Sequence, residues 1–99
     1  MAVTKIDHYE VMYSSNTFPP RLWLYGGGKP LGQLIFMPDG TSLPPDTMSS
    51  GQANLHYHLE NLDTMLRLFQ SEKALYLLWT GSGGGNENGI QTTEQVLGA

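Results

Sequence analysis

Polar and apolar residues alternate in the first segment with a readable pattern. From Ile6 to Tyr13, Tyr9, Val11 and Tyr13 fall on one side while His8 and Glu10 fall on the other. A period of two describes a half-buried strand. Ser14-Ser15-Asn16-Thr17 and the Pro19-Pro20 pair close it off. Arg21 to Tyr25 is a second strand, ended by Gly26-Gly27-Gly28-Lys29-Pro30, and Leu31 to Met37 a third, stopped by Pro38-Asp39-Gly40. The short spacing predicts a β-hairpin whose glycines supply positive φ at the turn. Residues 38–51, with Pro44-Pro45-Asp46 inside, follow as a long loop. Loops of that length in a small domain are frequently functional.

Ala53 to His58 alternates again, with Leu55, Tyr57 and Leu59 opposite Asn54, His56 and His58. The period then changes. Leu62, Met65, Leu66 and Phe69 recur at i, i+3, i+4 and i+7, the stripe of an amphipathic helix over about 61–72. Asn61 stands at the N-cap position, and Asp63 places negative charge at the positive end of the helix dipole. Ala74 to Trp79 is a nearly continuous apolar run, the pattern of a central strand buried on both faces. Strand, helix and strand from Ala53 to Trp79 are long enough for a right-handed crossover between parallel strands. Ile90 to Leu97 reads as an extended edge strand, with a short helix over Thr92 to Leu97 as the alternative. The expectation is one α+β domain over 1–99: a mostly antiparallel sheet of five to six strands with one helix packed on one face.

Composition narrows the function classes. The 99 residues are 39% hydrophobic and 14% charged, so the chain holds one core and a surface poor in charge. Nine acids against five bases give a net charge of −4, and Lys5, Arg21, Lys29, Arg67 and Lys73 are scattered. A phosphate backbone is held by a cationic stripe, so nucleic acid is not an expected partner. The absence of cysteine excludes disulfides, thiolate chemistry and zinc–thiolate sites. No apolar run approaches the ~18 residues of a membrane span, and the first residues lack the apolar region of a secretory signal. A soluble, cytoplasmic protein is expected.

Three features could carry chemistry. The first is the run from Leu77 to Ile90, "LLWTGSGGGNENGI". Gly84 and Gly89 have P-loop spacing, but Ile90 and Gln91 stand where lysine and a hydroxyl residue belong. The dinucleotide fingerprint fails as well, because Asn86 and Asn88 occupy its final glycine positions, and Glu87 opposes an anion. The stretch reads as a wide turn between two strands. Nor does any serine lie in a G-x-S-x-G elbow, Ser82 between Gly81 and Gly83 included.

The second feature is His56-Tyr57-His58. Residues i and i+2 of a strand face one way, so both imidazoles project from one surface about 6.5 Å apart. His8 and Glu10 form a similar pair on the first strand. If the two strands were neighbours, His56, His58, His8 and Glu10 could converge on a metal ion or an acid–base centre. The bland reading is an ordinary solvated sheet face, with no cofactor.

The third is aromatic. Arg21, Trp23 and Tyr25 share a strand face opposite Leu22 and Leu24. If the leucines face the helix, Arg21, Trp23 and Tyr25 lie with the histidines on an uncovered face with the composition of an interaction surface. One helix covers one side of a sheet, and a second copy of the chain is the natural cover for the other. The leading expectation is a non-enzymatic interaction module that forms a homodimer through this face. A metal-dependent or acid–base enzyme built on the histidines is the runner-up. A small-ligand site roofed by residues 38–51 and 81–89 is the third reading.

Three stretches, Pro20 to Tyr25, His56 to Glu60 and Leu77 to Glu94, resemble a family of small, uncharacterised bacterial proteins. The resemblance implies a compact α+β domain with an extended tail. It brings no activity, cofactor or catalytic residue to transfer.

Overall fold

Alternating burial is sharpest where the alternation of residue types is sharpest. In the computed structural model, which describes residues 2–83 and 85–95, Leu22 and Leu24 of β3 (Arg21–Gly26) are 0% and 1% exposed, while their neighbours are half-buried. Leu34 and Phe36 of β4 (Lys29–Met37) and Ala53 and Leu55 of β6 (Gln52–His58) are sealed to the same degree. These strands, with β2 (His8–Met12) and β5 (Thr47–Ser49), form a five-stranded sheet in the order β2-β3-β4-β6-β5.

Two tight turns set the register. Gly27 and Gly28, at φ 59° and 75°, join β3 to β4, and Ser50 and Gly51, at φ 53° and 77°, join β5 to β6. Positive φ at both central residues is the type I′ geometry that matches strand twist. The expected β3–β4 hairpin is therefore present. Gly32, at φ 147°, permits a close approach, since a Cβ there would run into the backbone of Ala53 on β6.

The single sheet expected from the sequence is two. Ala2–Ile6 forms a further strand, β1, which leaves the five-stranded sheet and pairs antiparallel with β7 (Leu75–Trp79). On its other side β7 pairs with β8 (Gly89–Gln91), giving a three-stranded sheet in the order β1-β7-β8. Asp7 is the corner between the sheets. Its N–H donates to the Tyr25 carbonyl at 2.8 Å, and its carboxylate accepts the Gly27 N–H at 2.7 Å. The strand expected over Ile6 to Tyr13 thus begins only beyond this bend.

The expected parallel crossover is also corrected. β7 does not lie beside β6; it is the central strand of the second sheet, antiparallel to both neighbours. The parallel pair is β4 with β6, joined by residues 38–51, which carry β5 rather than a helix. Fourteen residues satisfy the length such a connection needs.

Helix α1 spans Leu62–Ser71 behind a 3-10 turn at Leu59–Asn61. Leu62 and Phe69 of its stripe are buried, Met65 and Leu66 half-buried, and Phe69 meets Tyr9 of β2 at 4.9 Å between ring centroids. Asn61 stands at the N-cap position, as expected, but its side chain does not cap the helix. It has helical dihedrals and no capping hydrogen bond, because the 3-10 turn already runs through it. Asp39 instead reaches across from the long loop to accept the Glu60 N–H at 2.8 Å. The exposed Asp63–Arg67 pair, at 2.9 Å, contributes a few tenths of a kcal/mol.

Beyond β8 the described residues 92–95 bend around the Gln91 side chain, which donates to the carbonyls of Thr93 and Gln95. Neither the long strand nor a helix is present there, and Val96 and Leu97 lie outside the described residues.

The core lies between the inner face of the five-stranded sheet, α1, and Ile6, Leu75 and Leu77 of the second sheet. Phe36, 1% exposed and stacked 5.6 Å from Tyr57, sits at its centre. Phe36→Ala is expected to lower the unfolding free energy by about 3–5 kcal/mol in urea denaturation. Phe18→Ala, at a residue 64% exposed, should change it by less than about 1 kcal/mol.

Candidate functional site

With Leu22 and Leu24 turned inward, Arg21, Trp23 and Tyr25 occupy the outer face of the five-stranded sheet. Register extends this face across the strands. Arg21 aligns with Ile35 and then His56, and Trp23 with Gln33 and then Asn54. On β2, His8, Glu10 and Met12 stand opposite Tyr25, Trp23 and Arg21. The Arg21 guanidinium lies over the Trp23 ring at 5.7 Å, within cation–π range. Met12, at the sheet edge, is 41% exposed.

The four residues considered for a metal do not meet. β3 and β4 separate β2 from β6, which puts His8 and Glu10 three strand spacings, about 14 Å, from His56 and His58. Each pair has local partners instead. Glu10 accepts the Tyr25 hydroxyl hydrogen at 3.0 Å and lies 3.5 Å from His8 Nε2, in an exposed cluster. That hydrogen bond, more than burial or the charge on Glu10, raises the Tyr25 phenol above its usual range. Among the described residues no three His, Asp or Glu side chains are grouped to hold a metal ion.

The two histidines of β6 share a face, as their spacing requires, but that end of the face is not open. The long loop folds over it. His58 Nε2 lies 2.8 Å from the Thr41 carbonyl, so this nitrogen carries the proton and donates. The His56 side chain is only 12% exposed, with Nδ1 3.5 Å from Asp46 Oδ1. That distance is within ion-pair reach, but Nδ1 is buried and makes no hydrogen bond.

Asp46 and Asn88 are the site residues that the sequence did not single out. Asp46 Oδ1 accepts the His56 backbone N–H at 2.9 Å, and Oδ2 accepts from Asn88 Nδ2 at 3.1 Å. Asn88 in turn accepts the Thr80 N–H at 2.8 Å and donates to the Gly81 carbonyl at 3.0 Å. One carboxylate therefore ties the long loop to β6 and to the glycine-rich turn. Residue types alone gave a weak signal: an acid after two prolines, and an asparagine before a glycine. Their pairing across 42 positions is tertiary information.

The described part of the glycine-rich stretch is the wide turn expected between β7 and β8. Gly81 and Gly83 adopt positive φ, and Asn86 donates to the Ser82 carbonyl at 2.8 Å. Tyr57, on the inner side of β6, feels the same carboxylate. Burial first, and the Asp46 charge second, push its phenol up to about 12.

No protein-family model, curated protein or solved structure matches the chain.

The Tyr57 phenol loses its proton near pH 10 in the unfolded chain and near 12 in the folded one. Between these values the folded state holds more protons, so the associated stability is complete below about pH 10 and falls as pH rises toward 12. The loss is at most about 2–3 kcal/mol. Urea denaturation at pH 9 and pH 11.5 should show a steeper decline for the native chain than for Tyr57→Phe; equal declines would refute the assignment.

Proposed function

We propose that this domain is a non-enzymatic interaction module, soluble and cytoplasmic, that self-associates through the outer face of its five-stranded sheet. The observation that carries the reading is the Arg21–Trp23–Tyr25 row. It stands on the uncovered side of β3, whose alternate positions are fixed by fully buried Leu22 and Leu24. Tryptophan, tyrosine and arginine anchor protein interfaces because each covers a large area at low entropic cost and keeps a polar handle. Ile35 and Met37 of β4 continue the surface beside them, half-buried by their neighbours. The histidines of β6 continue this face at the end that residues 38–46 cover, through Thr41 and Asp46.

Size sets the strength. Three to four strands about 4.8 Å apart and some 20 Å long offer roughly 400 Å² per copy. Doubled, that lies below the 1,200–2,000 Å² of stable complexes, in the range of weak, transient ones. The face suits a weak, reversible dimer.

Sedimentation velocity from 1 μM to 1 mM should reveal a concentration-dependent dimer, and Trp23→Ala should weaken it about tenfold or more without changing the circular dichroism spectrum. A strictly monomeric native chain at 1 mM would overturn the proposal.

A further inference from the structure

The geometry points to a second site, independent of the sheet face: a small-molecule cleft between the long loop and the glycine-rich turn, whose polar floor is the His56–Asp46 pair. The cleft has a volume of about 370 Å³, with Leu43, Pro44 and Pro45 on one wall and Gly83 and Asn86 on the other. That volume falls in the range of small-ligand sites. Leu43 is 39% exposed, and the two prolines hold the wall's backbone near fixed φ, so the apolar side is presented before any ligand arrives.

The floor has a defined polarity. Asp46 is held by the His56 N–H and by Asn88, at 2.9 and 3.1 Å, so its carboxylate has little freedom to turn away. It faces His56 Nδ1 across 3.5 Å. A lone pair on Nδ1 would be repelled by the carboxylate oxygen, so the proton of the neutral ring belongs on Nδ1. The lone pair is then on Nε2. Nδ1 is shut away from solvent, whereas Nε2 is not among the buried unpaired atoms and has no hydrogen-bond partner among the described residues. His56 therefore offers the cleft an acceptor oriented by a carboxylate, the arrangement that fixes the tautomer of a general base. The long Nδ1–Oδ1 separation suits a pair that tightens when a ligand is bound.

These features specify the ligand's chemistry. It brings a hydrogen-bond donor, O–H or N–H, to Nε2, and carries a short branched apolar body for the Leu43–Pro45 wall. Anions are disfavoured because a carboxylate lies beneath the floor and no lysine or arginine is among the described residues that line the cleft. An ammonium group and an alcohol both satisfy the acceptor, and the Asp46 charge favours the ammonium.

The test uses isobutylamine, isobutanol and isobutyrate as probes with the full chain. Long-range proton–nitrogen NMR of the free protein should show His56 protonated on Nδ1. Isobutylamine or isobutanol should shift the Nε2 resonance saturably, together with the amides of Leu43, Asp46 and Asn86. Isobutyrate should bind at least tenfold more weakly. His56→Phe, which keeps the ring's bulk, should weaken probe binding tenfold or more. An Nε2-protonated ring in the free protein, absence of saturable shifts with both donor probes, or equal binding of isobutyrate would overturn the site. The tautomer and titration arms need only the native chain, so they decide the question even if the variant fails to fold.

Discussion

The burial of Leu22, Leu24, Leu34, Phe36, Ala53 and Leu55 against α1 and the second sheet is the constraint on which the surface depends. Strand side chains alternate, so fixing these six inward also fixes Arg21, Trp23, Tyr25, Gln33, Ile35, Asn54 and His56 outward. A slip of one residue in any of the three strands would exchange the two sets and cost several buried leucine-sized side chains, each worth about 1.5–3 kcal/mol. The outer face is therefore as firmly specified as the core, although few of its own contacts hold it in place. The type I′ turns at Gly27-Gly28 and Ser50-Gly51 reinforce the register locally, since two-residue loops leave no slack for slippage.

Local pattern made β3, β4, β6 and α1 legible, because each has a clean period and is bounded by turn residues. The association of elements was less legible. β7 reads as a buried central strand from Leu75 to Trp79, and it is one, with Leu75, Leu77 and Leu78 buried. The sheet it joins differs from the one expected, because strand–helix–strand length permits a parallel crossover without requiring it. The deciding element is β1. Ala2–Ile6 holds few large apolar residues and carries no strong strand signal, yet it pairs along five residues with β7. A sheet containing β1 competes with the crossover and wins once Asp7 turns the chain through its bonds to Tyr25 and Gly27. Such a corner depends on partners 18 to 20 residues away and leaves no periodic trace.

The chemistry was legible to a similar depth. The i, i+2 spacing of His56 and His58 established that they share a face, but spacing could not say what lies over that face. Residues 38–46 do so, through Thr41 at His58 and Asp46 at His56. The convergence considered with His8 and Glu10 required β2 and β6 to be adjacent, and the strand order places β3 and β4 between them. Strand order is set by non-local pairing, so candidate ligand sets assembled from separate strands inherit its uncertainty. Trp23 was easier to place, since its direction depended only on Leu22 and Leu24.

The same register carries both proposed surfaces on one sheet, with Arg21 of the aromatic row level with Ile35 and His56. Gln33 donates to Asn54 at 2.9 Å, and Asn54 donates to Thr47 at 3.2 Å, forming a polar seam across β4, β6 and β5. On the β3 side lies the aromatic row; farther along β6, at His56, the loop-covered end begins. A ligand held at His56 contacts residues 43–46 and the β7–β8 turn, none of which belongs to the aromatic row. The alignment of Arg21, Ile35 and His56 across β3, β4 and β6 is the shortest path between the two surfaces along the sheet. β6 is paired on both sides, with β4 and with β5, so the two surfaces share one hydrogen-bonded scaffold.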